Sequence, residues 1–555
     1  MTDVAQEKAR QIDAQLLGPG GPFALAEETV LGERMTVFAN RPGSLRAYVE
    51  QSVTFGDAEY LVFGDRHITF AEHARAVASV AKVFHERYGI GKGDRVAILA
   101  ANCPEWIVTF WATVSLGAIA VAINGWWMGA EIRYALEDSD PKLLVADRKR
   151  LERLGGQDPG MPVIEIESQF EALWGHDPGA SLPAVAIAED DPATILYTSG
   201  TTGRSKGAVQ SHRNVIACVM VTCCNGMRTM MLEPPSGPPL PPCQFVTSPL
   251  FHVSGLHTSA ILYLATGIRS VWNVGRFDPV EAMRIIEREK VTGWGVMATL
   301  VWRIINHPDF GKYDLSSLRT IGNGGGPTPP ELLRRMQRDL RCALPAIGYG
   351  LTESSALATI INGSDWLAHP ASVGRPLPTV ELEIRDPEGC VLPEGSEGEI
   401  YIRSPLVMLE YWRRPEATAE TIVAGRWLRT GDIGRMEDGR LYLASRRRDL
   451  IIRGGENVYP VEIENRLAEH PDVQEAAVIP VPHPELGQEV KAVVVPRQGA
   501  TLDPAALAAF VGETLARFKV PSHWEIRRTP LPRNATGKVL KQVLMGEDNN
   551  QFVED

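Results

Sequence analysis

Short apolar runs separated by helical patterns dominate the first part of the chain: "RVAILAA" from Arg95, "AIAVAI" from Ala118, "KLLVAD" from Lys142 and "ATILY" from Ala193. Runs of this length, bounded by turn residues, read as buried strands between helices and predict a parallel sheet covered on both faces. After about Val380 the pattern changes. "VELEIRD", "GEIYIRS" and "RLYLAS" alternate with period two between Gly, Pro and Asp turns, which predicts a small antiparallel barrel or sheet. From Asp449 onward the chain reads strand ("LIIR"), helix ("PVEIENRLAEH"), strands ("EAAVIPV", "VKAVVVP") and a helix from Pro504 to Ala516. This segment has the size of a separate α/β domain. The stretch "LEPPSGPPLPP" from Leu232 to Pro242 is a proline-rich loop that neither a strand nor a helix could accommodate.

No residue from Trp106 to Ala130 is charged, a length sufficient to span a bilayer. Thr109, Thr113, Ser115, Gly117, Asn124 and Gly125 interrupt it and no basic cluster flanks it, so the expectation is a buried helix from Trp106 to about Leu116 and a buried strand from Ala118 to Ile123. The N-terminus mixes charges without an apolar segment, which argues against a signal peptide. The expected compartment is the cytoplasm.

At 555 residues the chain exceeds one core and implies two to four domains or subdomains. Its net charge of −12 argues against nucleic acid, whose phosphates require a basic face. Seven cysteines, odd in number and without a C-x-x-C pair, predict neither a disulfide framework nor a metal site; the cluster Cys218, Cys223 and Cys224 reads as core.

The chemistry concentrates in "LYTSGTTGRSKG", Leu196 to Gly207, which holds five Ser and Thr hydroxyls besides that of Tyr197, three glycines and two cations. So polar a segment cannot be core, and following an apolar strand it reads as a loop whose amides and hydroxyls surround an anion such as a phosphate, or as a plain surface turn. It is not a Walker A loop, because Ser205 and Lys206 occupy the Gly-Lys positions after Gly200. Gly322, Gly324 and Gly326 fail the dinucleotide pattern at Pro327, and "RDLIIRGG" lacks the kinase asparagine.

Taken with the motifs that follow it, the chain resembles the acyl-adenylate-forming (AMP-binding) superfamily of acyl-CoA synthetases, non-ribosomal adenylation domains and firefly-type luciferases. The resemblance runs from "GKGDRVAIL" at Gly91 to "TGK" at Lys538 and is carried by the joint order of its motifs. It implies that Thr198, Ser199, Gly200, Thr201, Thr202, Gly203 and Lys206 surround the outer phosphates of ATP. "YGLTESS" implies Tyr349 and Gly350 against adenine, Thr352 at the α-phosphate and Glu353 as the Mg²⁺ ligand. "GNGGGPTP" places Gly324, Gly325 and Gly326 along adenine and the acyl pocket, with Gly326 where relatives carry alanine. "RTGD" supplies Asp432 for the ribose, and "SRRRDLI" supplies Arg446, with Ser445 in place of glycine. "PLFHVSG" puts His252 at the carboxylate end of the acyl pocket. "LPRNATGKVLK" makes Lys538 the mobile catalytic cation.

The implied fold is α/β: a large N-terminal domain of two doubly wound αβ subdomains plus a small β-barrel over 1–447, then a small mobile α/β C-terminal domain over 448–555. Rotation about a hinge at Arg448, where relatives carry aspartate or lysine, would bring Gly454 and Gly455 to the site for the second half-reaction. The implied activity is an ATP-dependent acid:CoA ligase, with free CoA as acceptor; the alternatives are a stand-alone enzyme loading a separate carrier protein and a luciferase-like oxygenase. The acyl pocket implied is His252, Val253, Leu256, Met297, Ala298, Gly324, Gly325 and Ala356, apolar or small apart from the histidine, with Ala298 where relatives often carry proline. A hydrophobic acid is expected, fatty or bulky alicyclic or aromatic. The pair Trp126 and Trp127 resembles that of bacterial ligases for fatty or steroid-type acids. Partners expected are the acid, ATP and CoA, without nucleic acid or a membrane span; the candidate assembly is a homodimer.

Overall fold

The computed structural model describes residues 3–198, 205–234, 238–324, 328–340, 343–446, 449–453, 456–534 and 537–546. The apolar runs become the centre of a seven-stranded sheet, in the order Glu410–Tyr411, Lys206–Ser211, Pro192–Thr198, Ile119–Ala122, Arg95–Leu99, Leu143–Ala146 and Val163–Glu165. The inner strands pair in parallel, as continuous apolar runs require. The uncharged run is no membrane span: Pro104–Ser115 is a helix with Trp106, Phe110 and Trp111 fully buried, followed by the strand Ile119–Ala122. Among the described residues, one helix, His212–Leu232, is long and apolar enough to cross a membrane. Val215, Cys218 and Val221 bury one side of it in the core.

A second sheet holds Cys243–Val246, Arg269–Trp272, Gly293–Val296, Thr320–Asn323 and Leu344–Tyr349 in parallel, with Glu59–Phe63 added at the Arg269–Trp272 edge. The antiparallel module, Glu381–Arg385, Gly398–Arg403, Trp427–Glu437 and Arg440–Arg446, is not a separate layer. The strand Ser372–Pro376 pairs on one side with Thr359–Asn362 and on the other with Arg440–Arg446, so hydrogen bonds run continuously from one sheet into the other. Its described pairings leave this module an open sheet.

The long helix also explains how distant chain meets at one place. Ser211 caps it: its hydroxyl accepts from the Asn214 amide at 3.2 Å while Asn214 Oδ1 accepts from the Ser211 amide at 2.8 Å. The remaining Asn214 donor, Nδ2, holds the carbonyls of Pro405 and Val407 at 2.8 and 2.9 Å. This pins the segment leading to Tyr411 beside the end of the second sheet.

The C-terminal lobe is a five-stranded sheet, Ile451–Arg453, Glu456–Val458, Val473–His483, Gly487–Pro496 and His523–Ile526, with helices Pro460–Ala468, Pro504–Gly512 and Lys541–Met545. Its last long helix ends at Gly512, short of the expected Ala516. The lobe closes on the larger body along a polar seam. The Tyr459 hydroxyl donates to Glu397 Oε2 at 2.5 Å, and Arg334 faces Glu469 at 3.6 Å. Two guanidinium groups, Arg335 from the body and Arg497 from the lobe, each lie 5.9 Å from the ring centre of Trp302.

Candidate active site

Thr198 ends one strand and Lys206 begins the next, paired in register. The intervening Ser199, Gly200, Thr201, Thr202 and Gly203 lie outside the described residues. Lys206 Nζ stands 4.9 Å from the centre of the Tyr411 ring, and the Tyr411 hydroxyl donates to Glu353 Oε1 at 2.6 Å. Burial first, and the Glu353 carboxylate second, hold that phenol protonated. Thr352 and Glu353 sit on the short turn Thr352–Ser354, tied from both sides: Gln210 Nε2 donates to the Thr352 carbonyl at 2.8 Å and the Met408 amide to the Glu353 carbonyl at 2.8 Å. The turn exits through two non-glycine residues at positive φ, Ser355 at 52° and Ala356 at 98°. Such strain persists only where neighbours over-determine it. Gly350 is one of them, because a Cβ there would meet the Ala356 carbonyl oxygen at 2.2 Å.

Tyr349 ends the adjoining strand, and its hydroxyl donates to Asp432 Oδ2 at 2.9 Å. Asp432 is buried and is the strand partner of Arg446, which places the arginine backbone across from it. Gly324 follows the strand Thr320–Asn323; Gly325 and Gly326 lie outside the described residues, as do Arg448, Gly454 and Gly455.

Thr198, Lys206, Tyr349, Gly350, Thr352, Glu353, Tyr411 and Asp432 line one cavity of about 4250 Å³. His252, Val253, Met297, Ala298, Gly324 and Ala356 line it too. Leu256 does not: it is buried at 1% exposure in the core, on the turn that follows His252. Trp126 and Trp127 also border the cavity, against Phe251 and Tyr197 respectively. Burial lowers the pKa of His252 to about 4, so its ring is neutral at pH 7. Its Nδ1 lies 3.0 Å from the Ser254 hydroxyl and 3.4 Å from the Ser254 amide.

Lys538 reaches the same cavity from the other lobe. Its loop is held by main chain: the Asn534 amide donates to the Lys538 carbonyl at 2.8 Å, and the Lys538 amide to Asn534 Oδ1 at 2.9 Å. Gly537, at φ 75°, lies against the Met297 side chain, where a Cβ would come within 2.8 Å of Sδ. Only glycine satisfies both the left-handed backbone and that contact.

Gln210 and Tyr411 were not legible as site residues. Neither belongs to a polar cluster in sequence, and both act by holding the Thr352–Ser354 turn from another sheet. Of the clustered cysteines, Cys218 and Cys224 are buried in the core, whereas Cys223 is half-buried and borders the cavity; burial raises Cys218 to about 12 and Cys223 and Cys224 to about 11.

Three buried histidines, together with His252 at the cavity wall, make stability pH-dependent. Burial lowers His73 to about 3 and His212, His252 and His257 to about 4. Each is neutral when folded and takes up a proton near its ordinary pKa when unfolded. The stability is therefore full above about pH 6.5 and is lost as pH falls from there toward 4, by about 3 kcal/mol for a shift of this size. Neither ring nitrogen of His257 has a hydrogen-bond partner among the described residues. The expected result is that His257→Leu flattens the fall of the thermal midpoint between pH 6.5 and 4.5, as measured by calorimetry across that range. An unchanged slope would contradict the assignment.

Comparison with known proteins agrees with this geometry. A family model described as AMP-binding enzyme matches residues 49–412, and one described as AMP-binding enzyme C-terminal domain matches 462–538. The chain is 34% identical over 492 residues to a feruloyl-CoA synthase of Amycolatopsis, covering 88% of this chain and 95% of that protein. It is 33% identical over 510 residues to the long-chain-fatty-acid–CoA ligase FadD13 of Mycobacterium tuberculosis, covering 90% and 95%. The crystal structure of ATP-bound MatB from Rhodopseudomonas palustris superimposes with a TM-score of 0.80 at 30% identity, covering 91% of this chain and 99% of that one.

Proposed function

Because this chain belongs to the AMP-binding enzyme family, we propose that it is an ATP-dependent acid:CoA ligase, which activates a carboxylic acid as its adenylate and passes the acyl group to CoA. The observation that carries this reading is the convergence of Thr352, Glu353, Asp432, His252 and Lys538, from four separate parts of the chain and two lobes, on one cavity.

In the first half-reaction a carboxylate oxygen bonds to the α-phosphorus of ATP and the bond to pyrophosphate breaks. Two anions must meet, so the site has to neutralise both while holding them in line. Lys538 contacts the acid and the phosphate as charge moves toward pyrophosphate. His252, neutral, borders the carboxylate without adding a competing charge. The Thr352 hydroxyl receives the α-phosphate. One oxygen of Asp432 is held by Tyr349, which orients the carboxylate for the ribose hydroxyls. The hydroxyl loop Ser199 to Gly203 and Lys206 take the outer phosphates, and Arg446 adds charge.

Mg²⁺ fits this donor set. Among the described residues no group of three or more His, Cys, Asp or Glu could hold a metal by itself, while Glu353 presents a hard carboxylate to the cavity beside the phosphate site. A single protein carboxylate together with substrate phosphates is the usual way Mg²⁺ is bound, and the ion supplies neutralisation of phosphate charge.

In the second half-reaction the CoA sulfur bonds to the acyl carbon, AMP leaves with the oxygen, and the thiol proton goes to solvent. Lys538 then has no task. Rotation of residues 448–555 about Arg448 removes it and brings Gly454 and Gly455 to the thiol's path. The cysteine composition suits a reducing cytoplasm.

The test is a pyrophosphate-release panel of short, medium, long-chain, aromatic and polycyclic acids, each with and without CoA. An acid-dependent release of pyrophosphate, with AMP release accelerated by free CoA, is the expected result. AMP release that requires an added carrier protein would instead favour carrier loading.

A further inference from the structure

The acyl side of the cavity is not uniformly apolar, and its polar part lies far from the reacting end. Across the second sheet, Gly295 pairs with Gly322, Gly322 with Ala346 and Ala346 with Asn362. All four positions line the cavity. A Cβ on Gly295 or Gly322 would meet nothing within 4 Å, so this row is an open floor that ends at the Asn362 side chain. The opposite wall is the last turns of the long helix, where Thr222, Asn225, Gly226 and Thr229 also line the cavity. Spacings of three and four residues put them on one face.

There the wall and the floor meet through hydrogen bonds. Asn362 Nδ2 donates to Asn225 Oδ1 at 3.2 Å and to Thr229 Oγ1 at 3.1 Å. In this arrangement Asn362 Oδ1, the Asn225 amide donors and the Thr229 hydroxyl proton have no partner among the described residues. All three residues are half-buried and border the cavity. A channel for a plain hydrocarbon gains nothing from such a set, because covering unpaired polar groups with an apolar chain costs desolvation without return.

The register gives the reach. Thr359 pairs with Tyr349 at the nucleotide, and Asn362 lies three residues further along that strand, about 10 Å at ~3.3 Å per residue. We propose that the acid activated here carries a hydrogen-bonding oxygen, hydroxyl or carbonyl, at the end remote from its carboxylate, and that Asn225, Thr229 and Asn362 receive it. The acid is thus one that bears a hydroxyl or carbonyl remote from its carboxylate, not an unsubstituted alkanoate. This rests on the ligase reading above and narrows its substrate.

The experiment compares kcat/KM for pyrophosphate release with acids that differ by one oxygen: 4-hydroxycinnamate against cinnamate, and 8-hydroxyoctanoate against octanoate. A site built to pair a substrate hydroxyl discriminates strongly against the analogue lacking it, and for this half-buried set we expect at least about tenfold preference for the hydroxylated member of at least one pair. Asn362→Leu and, separately, the isosteric Thr229→Val should each bring that ratio down toward one. A ratio near one in the unaltered protein for both pairs overturns the proposal, as does a ratio that both variants leave intact; either result would leave the ligase reading standing. Pyrophosphate release from no acid at all would overturn the ligase reading and this proposal together.

Discussion

Lys538→Ala is expected to lower acid-dependent pyrophosphate release by about 10²–10³-fold or more, the cost of removing a charged group aimed at developing negative charge. Thioester formation from supplied acyl-AMP and CoA should survive largely intact. The contrast follows from position. The lysine enters the cavity on a loop of the small lobe whose main-chain bonds to Asn534 do not involve its side chain, so the substitution removes charge without dismantling the loop. Isotope exchange between pyrophosphate and ATP reports the first step, and a rapid-quench measurement with preformed adenylate reports the second. Equal loss in both would refute the role assigned to this residue.

Glu353→Gln is the second large effect. Glutamine keeps the shape and still accepts from the Tyr411 hydroxyl, yet removes the one anionic oxygen set that the turn Thr352–Ser354 offers to a hard cation. The expected outcome is about a hundredfold fall in adenylation and a requirement for more Mg²⁺, since a neutral amide is a much weaker ligand than a carboxylate for this ion. Tyr411→Phe only releases the carboxylate from its hydrogen bond and should cost less, about tenfold, the low end for one hydrogen bond to a charged group. Initial rates titrated with Mg²⁺ separate the two. A glutamine variant with unaltered Mg²⁺ dependence would remove Glu353 from the metal site.

The layers were legible because burial on both faces writes itself as uninterrupted apolar runs, and "RVAILAA", "AIAVAI", "KLLVAD" and "ATILY" all became central strands. What remained hidden depended on contacts that no local pattern encodes. The antiparallel module reads as self-contained from its alternation, whereas the strand Ser372–Pro376 joins it to the second sheet, with a bulge between Ser372 and Gly374 that carries the turn. The same holds at the cavity. Tyr349, Thr352, Glu353, Asp432 and Lys538 stand in motifs that a sequence displays. Gln210, Tyr411 and Asn362 stand alone, each joined by its side chain to a residue 58 to 142 positions away. Leu256 shows the opposite failure: one turn past His252, its side chain points into the core.

The polar seam between the lobes has a kinetic meaning. Arg334 and Glu469 are too far apart and too exposed for more than ~1 kcal/mol, and guanidinium groups on the Trp302 ring add about as much each while repelling one another. With the Tyr459 hydrogen bond to the Glu397 carboxylate, worth about 1.5–3 kcal/mol, the seam amounts to a few kcal/mol, small enough to open on the timescale of lobe motions. Under the ligase reading proposed above, ATP would bias the lobe inward, its triphosphate drawing the Lys538 ammonium toward it. On that reading the attraction would disappear once pyrophosphate diffuses away, so that departure of the first product would let the acceptor in.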